Sequence, residues 1–414
     1  MPVASPLTIL RVIPRYAPAW SFGGGVRVSY DLDRALLQRG FAVTVCTSDQ
    51  IDERRHASTL HDNLEGIQIH RFPNPSTYLA SRVPWMAYYP VGLRPALIEQ
   101  ARHCDLMHVA EARGPHVSWA FAAARAAGVP VVWSPLGGLA DGVGMRQPYR
   151  RAYDILHRTR RCIGEARVLV AQSPHEAALL ARLGAPAAQV RVIGLGVDAR
   201  RFQELPPRGG FRRTAGIDPD RPLVLFMGRF HPTKGLDVLL KAVALARRTH
   251  PDLVAALVGW DHGSLRTVTR LTRSLGLKQV VTIAPPAFGP AAVQAYVDAD
   301  VFAVAATLYE ETSLAAMEAL ASGTPCVLTR QCEVPGLRAL GAGVVTECEP
   351  ESFAAGLVSL LSNPRRRLLG LAARQWMLAS HTSEHSADAY AATFRESVGA
   401  DASCAGARAG RTAC

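Results

Sequence analysis

Apolar residues along this chain fall into two patterns that alternate from one end to the other. Short, nearly continuous apolar runs occupy residues 7–13, 41–47, 67–72, 106–109, 129–133 and 167–171, with the length and composition of buried strands. Between several of them apolar positions recur every three or four residues. Residues 25–39 and 116–127 read as helices, closed by Gly40 and Gly128 just past the last turn. A second series begins after Asp198, with strands at 223–227, 254–258, 280–283, 301–305 and 326–329 and helices near 236–248, 264–275, 290–297 and 314–322. Strands apolar on both faces and separated by helices predict parallel sheets covered on both sides. The expectation is an α/β protein of two doubly wound, Rossmann-like domains facing a central cleft. An amino-terminal domain would span 1–198 and a second domain 199–379, with ligands at the carboxyl ends of the strands. Residues 199–216, rich in Arg, Gly and Pro, read as a linker with a polar surface, and 401–414 as a loose tail.

Composition narrows the classes. With 414 residues, 49% of them hydrophobic, the chain buries a sizeable core and is neither disordered nor fibrous. The formal charge of +12 fits an anionic partner without choosing one, and only three of the 46 basic side chains are lysines: Lys234, Lys241 and Lys278. Eight cysteines without a C-x-x-C pair argue against zinc fingers and redox dithiols, and their scatter fits a reduced cytoplasmic compartment. No apolar stretch reaches the ~18 residues a bilayer-spanning helix needs, so membrane contact would be peripheral, on the inner face of the plasma membrane. No nucleic-acid-binding module is recognisable, and none is expected as a partner.

Three segments carry chemistry. In PRYAPAWSFGGGV, glycines up to Gly24 and Gly25 open the first long helix, where backbone approaches a ligand closely and free N–H groups face an anion; a plain tight turn fits the same letters. In VLFMGRFHPTKGLDVLL, Arg229 and Lys234 fall in a strand-to-helix loop. A planar fork and a point charge suit a diphosphate, although a solvated loop fits as well. In YEETSLAAMEALASGTPCV, Glu310 and Glu318 flank a helix start capped by Thr312 or Ser313. This aims two carboxylates and the amides of Thr312, Ser313 and Leu314 at one cleft, where carboxylates accept from sugar hydroxyls and amides donate to phosphate; a solvated acidic turn fits the same letters.

The order of glycine loop, G-R-x-x-x-x-K-G and Glu-x7-Glu followed by E-A-L-A-S-G-T-P resembles the family 4 retaining glycosyltransferases of the GT-B fold, from about Thr8 to Arg395. The resemblance implies transfer of a hexose from a nucleotide-diphosphate sugar to a glycan or lipid-linked saccharide, with retained configuration, in polysaccharide or glycoconjugate biosynthesis. It implies catalytic roles for Arg229 and Lys234 on the donor diphosphate and Glu310 on the hexose hydroxyls. Ser313 and Leu314 would lie nearby, Glu318 would hold the nucleotide ribose, and Gly24 and Gly25 would close over the reaction centre. It also implies a helix near 380–400 that returns to the first domain. Fixed cations at the diphosphate stabilise its developing charge, so no cofactor or metal is expected. Two Asp-x-Asp triplets, 31–33 and 298–300, are poorly placed for a diphosphate-bound cation.

The sequence departs from the family at MHVAEARG, where many members have H-x-H and this chain has His108 followed by Ala110. His108 reads as structural or as an acceptor-side residue, and Glu111 or Arg113 as stand-ins for the missing His. That departure keeps open a catalytically silent homologue acting as a partner or regulatory subunit; a sugar-nucleotide epimerase is a further alternative. On the acceptor side, Arg146, Arg150, Arg151, Arg158, Arg160, Arg161 and Arg167 crowd one stretch, and Tyr78, Trp85, Tyr88 and Tyr89 precede it. Cations with interfacial aromatics fit an anionic leaflet; a solvated basic helix beside a packed loop fits equally.

Overall fold

A computed structural model of the chain describes residues 6–52, 54–82, 88–140, 147–308, 310–332 and 334–409. It divides into two units, one comprising the residues up to Gly194 together with those from Ser383 onwards, the other Leu195–Thr382.

In the first unit, β1 (Leu7–Val12), β2 (Phe41–Ser48), β3 (His61–Leu64), β4 (Ile67–Phe72), β5 (Leu106–Ala110), β6 (Val131–Ser134), β7 (Val168–Ala171) and β8 (Val190–Val192) form one sheet. Their order is β3-β4-β2-β1-β5-β6-β7-β8, parallel except for the β3–β4 hairpin. Successive residues separate onto two faces, as strand geometry requires. Ile9, Leu106 and Val132 join a cluster with Tyr390 and Phe394, while Leu10, Met107 and Val131 join another with Phe121. The helices used below are α1 (Gly24–Leu37), α2 (Pro115–Ala127), α3 (Gln147–Leu156), α4 (Leu236–Ala246), α5 (Gly289–Asp298), α6 (Leu314–Ala321) and α7 (Ser383–Ala409).

In the second unit, β9 (Leu223–Met227), β10 (Val254–Val258), β11 (Val281–Ala284), β12 (Val301–Val304), β13 (Cys326–Thr329) and β14 (Gly343–Thr346) are all parallel, in the order β11-β10-β9-β12-β13-β14. Its strands β9, β10, β12 and β13 are buried throughout, which explains their unbroken apolar runs.

Three expectations need correction. The units part at Gly194 rather than Asp198, because Val197 already hydrogen-bonds to His381 of the second unit. The segment 199–216 is more than a linker with a polar surface. Phe202 is fully buried, and the buried Arg212 donates to the carbonyls of Asp298, Asp218 and Arg221 and pairs with Asp300 at 2.8 Å. The supposed tail continues α7 to Ala409, consistent with the high helix propensity of its alanines.

Candidate active site

In each sheet the strand order reverses direction once, and the loops leaving the two central strands diverge there into a crevice. In the second unit that point lies between β9 and β12. The loop after β9 carries exposed Arg229, then a 3-10 turn, Pro232–Lys234, and Gly235 at the start of α4. Gly235 has φ +58°, and a Cβ there would sit 1.8 Å from the Ala305 carbonyl oxygen, so only glycine lets this loop lie against the end of β12. The Thr307 N–H then donates to the Thr233 carbonyl at 2.9 Å, tying the two loops together.

The consequence is a salt bridge between the Lys234 ammonium and the Glu310 carboxylate, neither of them fully buried. The Glu310 N–H donates to the Gln331 carbonyl at 2.6 Å, which fixes its backbone. Ser313 caps α6, its hydroxyl accepting from the Ala316 N–H, and Leu314 begins that helix. Beside the cations, burial first, and then Arg229 and Lys234, hold the His231 pKa below its ordinary value, so its ring favours the neutral form. Burial, with the Glu310 charge second, pushes the Cys332 thiol up to about 11, which makes it an inert packing group.

Glu318 lies one turn into α6 with both oxygens engaged. The Arg201 guanidinium pairs with Oε1, and the Tyr296 hydroxyl donates to Oε2 at 3.0 Å. Neither partner was visible in the sequence pattern. Arg201 sits in the segment read as linker, and Tyr296 in the last turn of α5 looks like an ordinary core aromatic.

In the first unit the reversal lies between β1 and β5. Gly23, with φ +98°, caps α1, and Gly24 and Gly25 form its first turn. An ideal Cβ on Gly25 would stand 3.7 Å from the Glu111 Oε1, so this carboxylate lies beside the helix start, where the dipole favours it. Glu111 is the candidate stand-in that the fold brings to the glycine loop.

Arg113 and His108 have other duties. The Arg113 guanidinium donates to the carbonyls of Gly138 and Leu139 and pairs with Asp154 at 3.5 Å, which tethers the loop after β5 to the segment after β6 and to α3. His108 is buried, its Nε2 2.9 Å from the Ser134 hydroxyl, which in turn contacts the Tyr390 hydroxyl at 3.1 Å. Its ring packs on Phe394 at 5.2 Å between centroids, and burial pushes its pKa well below the ordinary value. His108 therefore packs against α7 in the core of the first unit, which is its structural reading rather than the acceptor-side one.

The acidic triplets are also structural. Asp33 is buried, accepting from Arg11 Nε and the Tyr16 hydroxyl, both at 2.7 Å. Asp300 pairs with Arg208, Arg212 and Arg366. Burial raises its pKa, but the Leu223 N–H and these arginines outweigh that and lower it. Between β4 and β5, Tyr88 is buried against His116, whereas Tyr78 and Tyr89 are exposed; Trp85 and Arg146 lie outside the described residues.

Residues 208–376 match the family described as glycosyl transferases group 1, and residues 22–201 match glycosyltransferase family 4. The D-inositol 3-phosphate glycosyltransferase of Thermomonospora curvata is 31% identical over 410 residues, covering 89% of each chain. The chain belongs to the family 4, group 1 glycosyltransferases. The enzyme of the same name from Kineococcus radiotolerans is 31% identical over 394 residues, covering 86% of each chain. Among solved structures, this glycosyltransferase is similar to Anabaena HepE in complex with UDP and glucose. The TM-score is 0.73 at 18% identity, covering 94% of this chain and 100% of the other. Sucrose-phosphate synthase from Thermosynechococcus elongatus gives the same TM-score at 20% identity, covering 95% and 100%. Likeness at that distance shows the fold, which is GT-B.

Proposed function

We propose that the protein transfers a hexose from a nucleotide-diphosphate sugar, with retention of configuration. The observation that carries this reading is the meeting of Lys234 and Glu310 at the crevice of the second sheet, with Arg229 exposed on the same loop. Rupture of a glycosyl phosphate bond builds positive charge on the sugar ring and negative charge on the departing diphosphate. Lys234 and Arg229 supply fixed positive charge to the diphosphate, and Glu310 accepts from hexose hydroxyls while holding the ammonium in place. Ser313 and Leu314 offer helix-start amides, and Glu318 accepts from the ribose diol. Glu111 would meet the acceptor, and the Gly24–Gly25 turn would close over the donor at the reaction centre. In a same-face mechanism the departing phosphate takes the acceptor proton, so no protein nucleophile is required. Two protein cations make a metal ion unnecessary, and turnover should be unchanged by EDTA.

For the acceptor, a glycan or lipid-linked saccharide follows from the family as a whole, while the named relatives favour a polyol phosphate such as D-inositol 3-phosphate. A thermal-shift screen of UDP-, GDP- and ADP-sugars tests the donor side, because a ligand that binds the native state raises its melting temperature. The expected result is stabilisation by one donor and slow release of its nucleoside diphosphate, abolished by Lys234→Ala and by Glu310→Ala. Donor binding without any turnover, with either acceptor class present, would favour a catalytically silent partner subunit instead. Absence of donor binding at millimolar concentration would overturn the transferase reading.

A further inference from the structure

The first unit carries a helix whose apolar side faces outwards. In α3 the inward residue is Tyr153, buried and stacked on His157 with ring centroids 4.1 Å apart. Ile155 and Leu156 are 78% and 76% exposed, and Tyr149 and Ala152 are also exposed. Three- and four-residue spacing places these four on one stripe. A soluble unit turns such a stripe inwards, so its outward position marks a contact surface.

A second exposed apolar group adjoins it. Tyr89 and Val91 are exposed, and the Tyr89 ring lies against Trp119 of α2 at 4.9 Å. The neighbouring Ser118 hydroxyl contacts the His157 ring at 3.1 Å, just beyond α3, so both groups flank the first turns of α2. Exposed Arg151, Arg158, Arg160 and Arg161 surround the stripe. The acids of this stretch are engaged, Asp154 with Arg113 and Thr159, Glu165 with Arg125 and Arg161. Among the described residues no carboxylate pairs with Arg151, Arg158 or Arg160.

We propose that this face docks on an anionic lipid bilayer, with Tyr149, Ile155 and Leu156 entering the interfacial layer and the arginines binding headgroup phosphates. Charge complementarity selects this occupant: guanidinium forks match phosphate oxygens, and the aromatic and aliphatic side chains match the acyl boundary. A second copy fits poorly, because a two-fold contact would bring the same arginines onto one another. The inference is independent of the transferase reading, since docking is measured without substrate.

The experiment is flotation of the full chain with vesicles of phosphatidylcholine alone or with about 30% phosphatidylglycerol. The expected result is binding to the anionic vesicles only, weakening as salt rises from about 0.05 to 0.5 M. Combined Ile155→Ser and Leu156→Ser should lower partitioning at least about tenfold, and Arg158→Gln with Arg160→Gln about fivefold per arginine. All four positions are exposed, so melting temperatures should stay within a few degrees of wild type. No binding at low salt would overturn the proposal, as would full binding by the Ile155/Leu156 variant. Dimerisation through this face without vesicle binding would do the same.

Discussion

Glu310 and Glu318 carry the same carboxylate eight positions apart, and their partners set them different tasks. Glu310 faces an ammonium on another loop, whereas Glu318 is oriented by Arg201 and Tyr296 before any ligand arrives. Arg201→Gln should therefore raise the donor KM about tenfold with kcat within about twofold, a binding effect that steady-state kinetics separates from a chemical one. Asp33 shows the opposite case, an acid in a suggestive triplet that serves only the core. Arg11 is 1% exposed, so Asp33→Asn should leave it without a counter-charge and cost about 3–5 kcal/mol in urea unfolding. Lys234 and Glu310 stood out in the sequence through their strand-to-helix loops and the resemblance to the family's motifs, but their salt bridge did not, because they lie on loops far apart in the chain. Arg201 and Tyr296 were not legible, because nothing local states which carboxylate a distant guanidinium or phenol will meet. His108 was half legible: its place at a strand end is written in the pattern, but its burial depends on a helix almost 300 residues later.

The loops at the crevice of the second sheet owe their geometry to contacts between elements rather than to flexibility. Gly235→Ala would force a methyl group into the Ala305 carbonyl and should destabilise the protein by at least about 2 kcal/mol, lowering donor hydrolysis with it. Gly276→Ala is the control: its φ is +69°, but a Cβ there meets nothing within 4 Å, so only the backbone cost of about 1–2 kcal/mol applies. Calorimetry of the two variants isolates the contact from the backbone term. Buried parallel strands were readable from their apolar runs. Strand β3 was not, because HDNL is polar and almost wholly exposed, and it pairs with β4 at the sheet edge. The end of α7 was misread because alanines form helix without an apolar stripe to announce it.

At the scale of the whole molecule, acid should weaken the first unit through its histidines. His108 and His116 are fully buried, and burial holds both pKa values down, that of His116 to about 4. In the unfolded chain each takes up a proton near pH 6.5, so unfolding binds more protons and stability is lost as pH falls below that value. For His116 the loss reaches about 3 kcal/mol at pH 4. Burial raises the Asp33 pKa and opposes this in part. His116→Gln should flatten the fall in melting temperature between pH 6.5 and 4.5, and an unchanged slope would refute the assignment. The polypeptide leaves the first unit at Gly194 and re-enters it at Ser383, where the Ser386 hydroxyl donates to the Gly194 carbonyl at 2.8 Å. From there α7 lays Ala387, Tyr390, Ala391 and Phe394 into the first unit's core. A gene cut cleanly after codon 194 would thus encode an open apolar trough, prone to aggregate. Splicing codon 194 to codon 383 through a short glycine-serine bridge should instead yield a self-contained folding module, while 195–382 is already one uninterrupted reading frame.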